Sequence, residues 1–79
     1  MRQLEELLLF LARSLVDEPE KVEVEGRETE SRVELTLRVA PDDVGKVIGR
    51  GGRTVRAIRT VMKAASVKAN KRVNVEVAD

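Results

Sequence analysis

Leu4, Leu7, Leu8, Leu11 and Leu15 recur at intervals of three and four residues, with Arg2, Glu5, Glu6 and Arg13 on the remaining surface. This spacing gathers the leucines on one side of a helix. Pro19 ends that helix, because proline lacks an N–H and disfavours helical geometry in the residue before it, so the helix is expected to stop by Asp17 or Glu18. Leu9, Phe10, Ala12 and Val16 widen the apolar face, which reads either as deeper burial or as a surface for a partner. The period then changes to two. Val22 and Val24 alternate with Glu23 and Glu25, and Val33, Leu35, Leu37 and Val39 alternate with Glu34, Thr36 and Arg38. Both stretches are expected to be strands with one wet face, joined by a hairpin loop from Gly26 to Ser31.

Pro41, Asp42 and Asp43 open the next helix: proline suits a first turn and the acids complement the helix dipole. Val44, Val47 and Ile48 give it an apolar side, and Gly49 caps its end. A further helix starts at about Gly52. Val55, Ile58, Val61, Met62 and Ala65 fall on one face, with Arg53, Arg56, Arg59, Thr60 and Lys63 opposite. Val73, Val75 and Val77 alternate with Asn74 and Glu76 in a last strand. The order is helix, strand, strand, helix, turn, helix, strand, within one domain covering residues 1–79.

Composition removes several function classes. The 79 residues contain no cysteine and no histidine. Disulfides, thiolate metal sites, and the commonest general base and metal ligand are therefore absent. Ser14, Ser31 and Ser66 have no base in any familiar spacing, so the chain reads as no enzyme, with no cofactor and no metal. No run is long and apolar enough to span a membrane. Glu5 and Glu6 stand where a signal peptide needs positive charge, which makes the leucine run a helix of a cytoplasmic protein. A formal net charge of +1 hides an asymmetry. Acidic residues crowd the first half. Between Asp43 and Glu76 there are none, while that stretch carries Lys46, Arg50, Arg53, Arg56, Arg59, Lys63, Lys68, Lys71 and Arg72. Such a run steers polyanions to one part of a surface.

The candidate chemistry sits inside the basic run, at Gly49-Arg50-Gly51-Gly52-Arg53. Glycines let a backbone approach closely because no Cβ intervenes. The flanking arginines, and the N–H groups at the start of the following helix, favour an anion there. A P-loop would need Lys and then Ser or Thr after its last glycine; here Arg53 and Thr54 follow, and no strand leads into the turn. A dinucleotide fingerprint fails for want of a βαβ unit.

Val47, Ile48, Gly49, Gly52, Val55 and Ile58 follow the pattern Val-Ile-Gly-x-x-Gly-x-x-Ile-x-x-Ile, with Val55 the one departure. With the element order, this resembles a type II KH domain, over nearly the whole chain. The resemblance implies an α+β fold of order αββααβ: a three-stranded mixed sheet packed on one side by three helices. It also implies a GXXG loop that clamps about four nucleotides of single-stranded RNA. Gly49, Arg50, Gly51, Gly52 and Arg53 would form that clamp, Lys46 and Arg56 its flanks, and Val44, Val47 and Ile48 the groove floor. A chain of one KH domain and little else is similar to the KhpA-type small bacterial RNA-binding proteins. That likeness implies pairing, as a homodimer or with a larger KH protein of the KhpB (Jag) type, and work in post-transcriptional regulation, RNA chaperoning and cell-envelope homeostasis.

Phe10 is the one aromatic residue, so bases cannot stack on rings at the glycine turn. That argues against readers built on aromatic platforms. It also predicts weak binding by a single copy, made useful by a second domain. Single-stranded DNA is a second admissible ligand, since no residue marks a contact to a 2′-hydroxyl. The alternative function is a protein–protein or scaffold module that keeps the KH fold with little intrinsic RNA binding.

Overall fold

The computed structural model describes residues 2–78. Helix α1 spans Arg2–Arg13, strand β1 Glu23–Glu28, strand β2 Arg32–Arg38, helix α2 Val44–Ile48, helix α3 Arg53–Ser66 and strand β3 Arg72–Val77. Single 3-10 turns stand at Pro19–Lys21, Pro41–Asp43 and Arg50–Gly52. The sheet order is β1-β2-β3: β1 is antiparallel to β2, and β3 parallel to it with Leu35 opposite Val75. A parallel neighbour requires a crossover, which α2, the glycine turn and α3 provide. This is the expected α+β, type II KH architecture.

The strands alternate as period two demands. In β2, Val33, Leu35 and Leu37 are buried while Arg32, Glu34 and Arg38 are exposed. The buried face meets Leu4, Leu8 and Ala12 of α1, Val47 of α2, and Ile58 and Met62 of α3. The other face is open to solvent. Leu8, Leu37, Val47 and Met62 are wholly enclosed. In so small a domain each such side chain is a large part of the core.

Two boundaries and one burial differ from the sequence expectation. Helix α1 stops at Arg13 rather than near Asp17 or Glu18. Ser14 turns its hydroxyl onto the Phe10 carbonyl at 2.7 Å, and the N–H groups of Asp17 and Glu18 go to the carboxylate of Asp43 instead of to helical carbonyls. Gly26, Arg27 and Glu28 belong to β1, not to the hairpin loop. The turn is shorter because Thr29 closes it twice: its N–H donates to the Arg32 carbonyl at 2.8 Å and its Oγ1 accepts from the Arg32 N–H at 3.1 Å. Val61 is 43% exposed rather than in the core. The stripe of α3 that is buried runs through Val55, Ile58, Met62 and Ser66, and Val61 falls off its edge. On α1, Ala12 is buried, Leu9 is half-buried and Phe10 is 67% exposed, and Val16, beyond the helix, is half-buried.

Candidate nucleic-acid interface

The glycine turn is built from three backbone conformations that other residues resist. Gly49 has φ 76° and ψ 167°, Gly51 φ 65° and ψ 17°, and Gly52 φ 78° and ψ 14°. The Gly49 conformation is one that essentially only glycine adopts. Its N–H closes α2 on the Gly45 carbonyl at 2.9 Å, and its carbonyl accepts the Gly52 N–H at 3.1 Å. Arg53 then donates to the Arg50 carbonyl and α3 begins. The N–H groups of Arg50 and Gly51, at the exposed tip, meet no backbone acceptor among the described residues. Two adjacent free donors at the start of a helix are a fitting seat for an anionic oxygen.

Arg50 and Arg53 are exposed, and no carboxylate lies within ion-pair distance of either among the described residues. Both cations are thus available to a ligand at the tip. Arg56 is placed differently. Its guanidinium folds back, Nη2 donating to the Gly51 carbonyl at 2.6 Å and Nε to the Gly52 carbonyl at 3.3 Å. It braces two consecutive carbonyls of the turn from the first turns of α3.

Lys46 is engaged as well. Its ammonium pairs with the carboxylate of Asp17 and stands 3.5 Å from that of Asp43. Asp43 is enclosed and accepts the N–H of Asp17 at 3.2 Å and of Glu18 at 3.1 Å. Burial pushes its carboxyl up, but the two N–H groups and Lys46 together outweigh that and hold it below the usual aspartate range. The hydrogen bond from Lys46 to Asp17 leads in raising the lysine above its ordinary value. Asp43 therefore does more than complement a dipole: it ties the segment after α1 to the start of α2.

The expected groove floor divides. Val44 and Ile48 are half-buried, but Val47 has no exposure and belongs to the core cluster. Val47 thus belongs to the core and offers no surface to a ligand. Three residues that sequence reasoning did not single out also shape the site. Thr54 packs against Gly49, Asp17 holds Lys46, and Arg59 donates to the Val75 carbonyl at the edge of β3 at 3.1 Å. The Asp17 pairing joins residues 29 positions apart and leaves no local signal. No group of residues that could hold a metal ion occurs among the described residues, and none of their helices is long and apolar enough to cross a membrane.

A three-stranded mixed sheet under three helices, with an arginine-flanked glycine turn joining two of them, defines a type II KH domain. Residues 5–77 match the family model described as KhpA/KhpB, KH domain. The chain belongs to that family, and it is not an enzyme family. It is 54% identical over 74 residues to the RNA-binding protein KhpA of Clostridium acetobutylicum, covering 94% of this chain and 99% of that one. It is 42% identical over 78 residues to the protein of the same name from Bacillus subtilis, covering 99% and 96%. Among solved structures, Aquifex aeolicus Era bound to GDP.AlF4- superposes with a TM-score of 0.70 at 16% identity, over 95% of this chain and 29% of that one. Era in complex with MgGDPNP and nucleotides 1506-1542 of 16S ribosomal RNA matches with the same score, over 94% and 28%. At that identity the likeness is one of fold.

Proposed function

We propose that this chain binds single-stranded RNA without catalysis, clamping about four nucleotides by their backbone at the glycine turn. The observation that carries this reading is the tip itself: two free N–H donors at Arg50 and Gly51, flanked by the unpaired cations Arg50 and Arg53. Phosphate oxygens accept from the N–H groups, and the guanidinium groups add charge-assisted bonds. Val44 and Ile48 offer half-buried aliphatic surface for bases, and Lys46 flanks the groove once a phosphate competes with Asp17. The names of the relatives support RNA as the ligand. A seat this small binds weakly alone, so the working form is a pair, with a second copy or with a KhpB-type KH protein, acting in the cytoplasm on post-transcriptional regulation.

The test is binding of a dye-labelled single-stranded RNA across a salt series, beside the double variant Arg50→Asp, Gly51→Asp. Aspartate tolerates the left-handed conformation at position 51 better than most residues do, so the fold survives. The wild type should show log K falling against log salt with a slope of about −2 to −3 for roughly three or four phosphates. The double variant should lose binding. Equal binding by both proteins would overturn the clamp. A second reading, a protein–protein module, rests on Phe10, which stands 67% exposed on α1 beside the half-buried Leu9. It predicts partner binding insensitive to salt and to the turn. A DNA strand of the same sequence in the same assay decides whether the sugar matters.

A further inference from the structure

We propose that the cleft at the far end of α3 from the glycine turn is a second phosphate subsite, occupied by the backbone of the same RNA strand after it has run along that helix. This rests on the RNA-binding reading above and extends the footprint beyond the turn.

The cleft is an open cavity of about 890 Å³ where the last turn of α3 meets the first residues of β2 and β3. Arg32, Lys63, Lys71 and Arg72 line it with Asn70 and Asn74, and no carboxylate does. Arg32 and Arg72 are direct partners in the β2–β3 register and share the exposed face of the sheet. Like charges placed opposite one another destabilise a sheet. On the same face Arg38 lies 3.6 Å from Glu25, and Arg27 is opposite Glu34. Of the cleft cations only Lys71 has a carboxylate, that of Glu28. Arg32, Lys63 and Arg72 have none within ion-pair distance among the described residues. Three unmatched cations around one concavity concentrate positive potential there.

The path from the turn is also basic. Arg56, Thr60 and Lys63 lie at i, i+4 and i+7 on one face of α3, with Arg59 beside them over the edge of β3. The 14 residues of α3 span about 20 Å. No acidic residue occurs between Asp43 and Glu76. The cleft's own character favours a passing chain over a captured small anion. It is open, and no buried side-chain polar atom among the described residues lacks a partner. A flexible phosphodiester strand needs cations along an open surface, not an enclosing cage.

The experiment compares two labelled RNAs, one of about four nucleotides and one about twice that length. Each is titrated with the wild type, with Lys63→Gln, Arg72→Gln, with the charge-keeping Lys63→Arg, Arg72→Lys, and with Arg50→Asp, Gly51→Asp. The proposal expects the wild type to hold the longer RNA more tightly. It expects Lys63→Gln, Arg72→Gln to weaken the longer RNA about three- to tenfold. The salt slope for that RNA should become shallower by about 1.4, for two phosphates released. The short RNA should be unaffected, and the charge-keeping variant should behave as wild type. Melting curves on the same variants verify that the fold persists. If the two lengths bind alike, or the glutamine variant weakens both equally, the distal subsite is wrong while the turn stands. If the turn variant binds both RNAs as the wild type does, the clamp reading has failed instead. Should the glutamine variant weaken the longer RNA even then, the distal cleft keeps its support as a site in its own right.

Discussion

A Cβ on residue 49 would stand 2.8 Å from the backbone nitrogen of Thr54 and closer still to the Thr54 side chain. Gly49 is therefore fixed twice over, by its φ of 76° and by the first turn of α3 lying against it. Gly51 has open space around its Cα and is held to glycine by φ alone. Gly49→Ala should cost about 1–3 kcal/mol in urea unfolding and abolish RNA binding. Gly51→Asn should cost less, because asparagine tolerates that conformation. Equal losses from the two changes would show that the Thr54 contact does not define the turn.

Arg56 spends its guanidinium on the carbonyls of Gly51 and Gly52, so its effect on RNA should be indirect. Arg56→Lys keeps the charge but cannot reach two acceptors in a fork. RNA affinity should drop about three- to tenfold for one lost charge-assisted bond and a looser tip. The salt slope should stay as in the wild type. A slope shallower by about 0.7 in the charge-removing Arg56→Gln would instead mark Arg56 as a direct phosphate contact.

The carboxylate of Asp17 pairs with the ammonium of Lys46. Asp17→Asn keeps the N–H that Asp43 accepts and removes the competing charge. RNA affinity should rise about two- to fivefold, the scale of an exposed ion pair. The salt slope should steepen as Lys46 joins the phosphate contacts. Unchanged binding would place Lys46 outside the groove.

Asp43 carries the acid sensitivity of the fold. Its carboxyl is held low, so it contributes stability that is fully present above the unfolded aspartate value of about 3.9 and is lost as pH falls through the lower folded value. Glu28, held low first by its hydrogen bond to Lys71, adds in the same sense. Lys46 acts in the opposite direction: its contribution is present below about 10.4 and is lost as pH rises through its raised folded value. Asp43→Asn presents an amide –NH2 to one of two backbone donors. It should lower Tm at neutral pH and flatten the fall of Tm between about pH 5 and pH 2. Thermal melts over that range check it, and an unaltered acid limb would remove Asp43 from its cause.

The elements that sequence made legible are those whose signals are local. The period of two in Val33, Leu35 and Leu37 marks β2. The valine and isoleucine spacing around Gly49 and Gly52 marks the two helices and the turn. Positions that depend on distant partners were not legible. Asp43 looks like any acid at a helix start until Asp17 and Glu18 are seen beneath its oxygens. Val47 is groove floor by the resemblance to KH domains, yet the core takes the whole side chain. Arg56 belongs to a basic helix face by its angle, and only the turn's carbonyls draw it inward. Val61 sits at the rim of the apolar stripe, where packing against neighbours, not periodicity, decides burial.

The parallel pairing of β2 with β3 also sets an order of events in time. As the chain leaves the ribosome, α1, the hairpin and the glycine turn are made before β3 exists. A parallel contact between segments so distant in sequence forms late and slowly. Until residues 72–77 dock, α3 lacks the strand edge that Arg59 grips. The helix that begins at the glycine turn thus gains its strand contact only from a segment that follows it in the sequence.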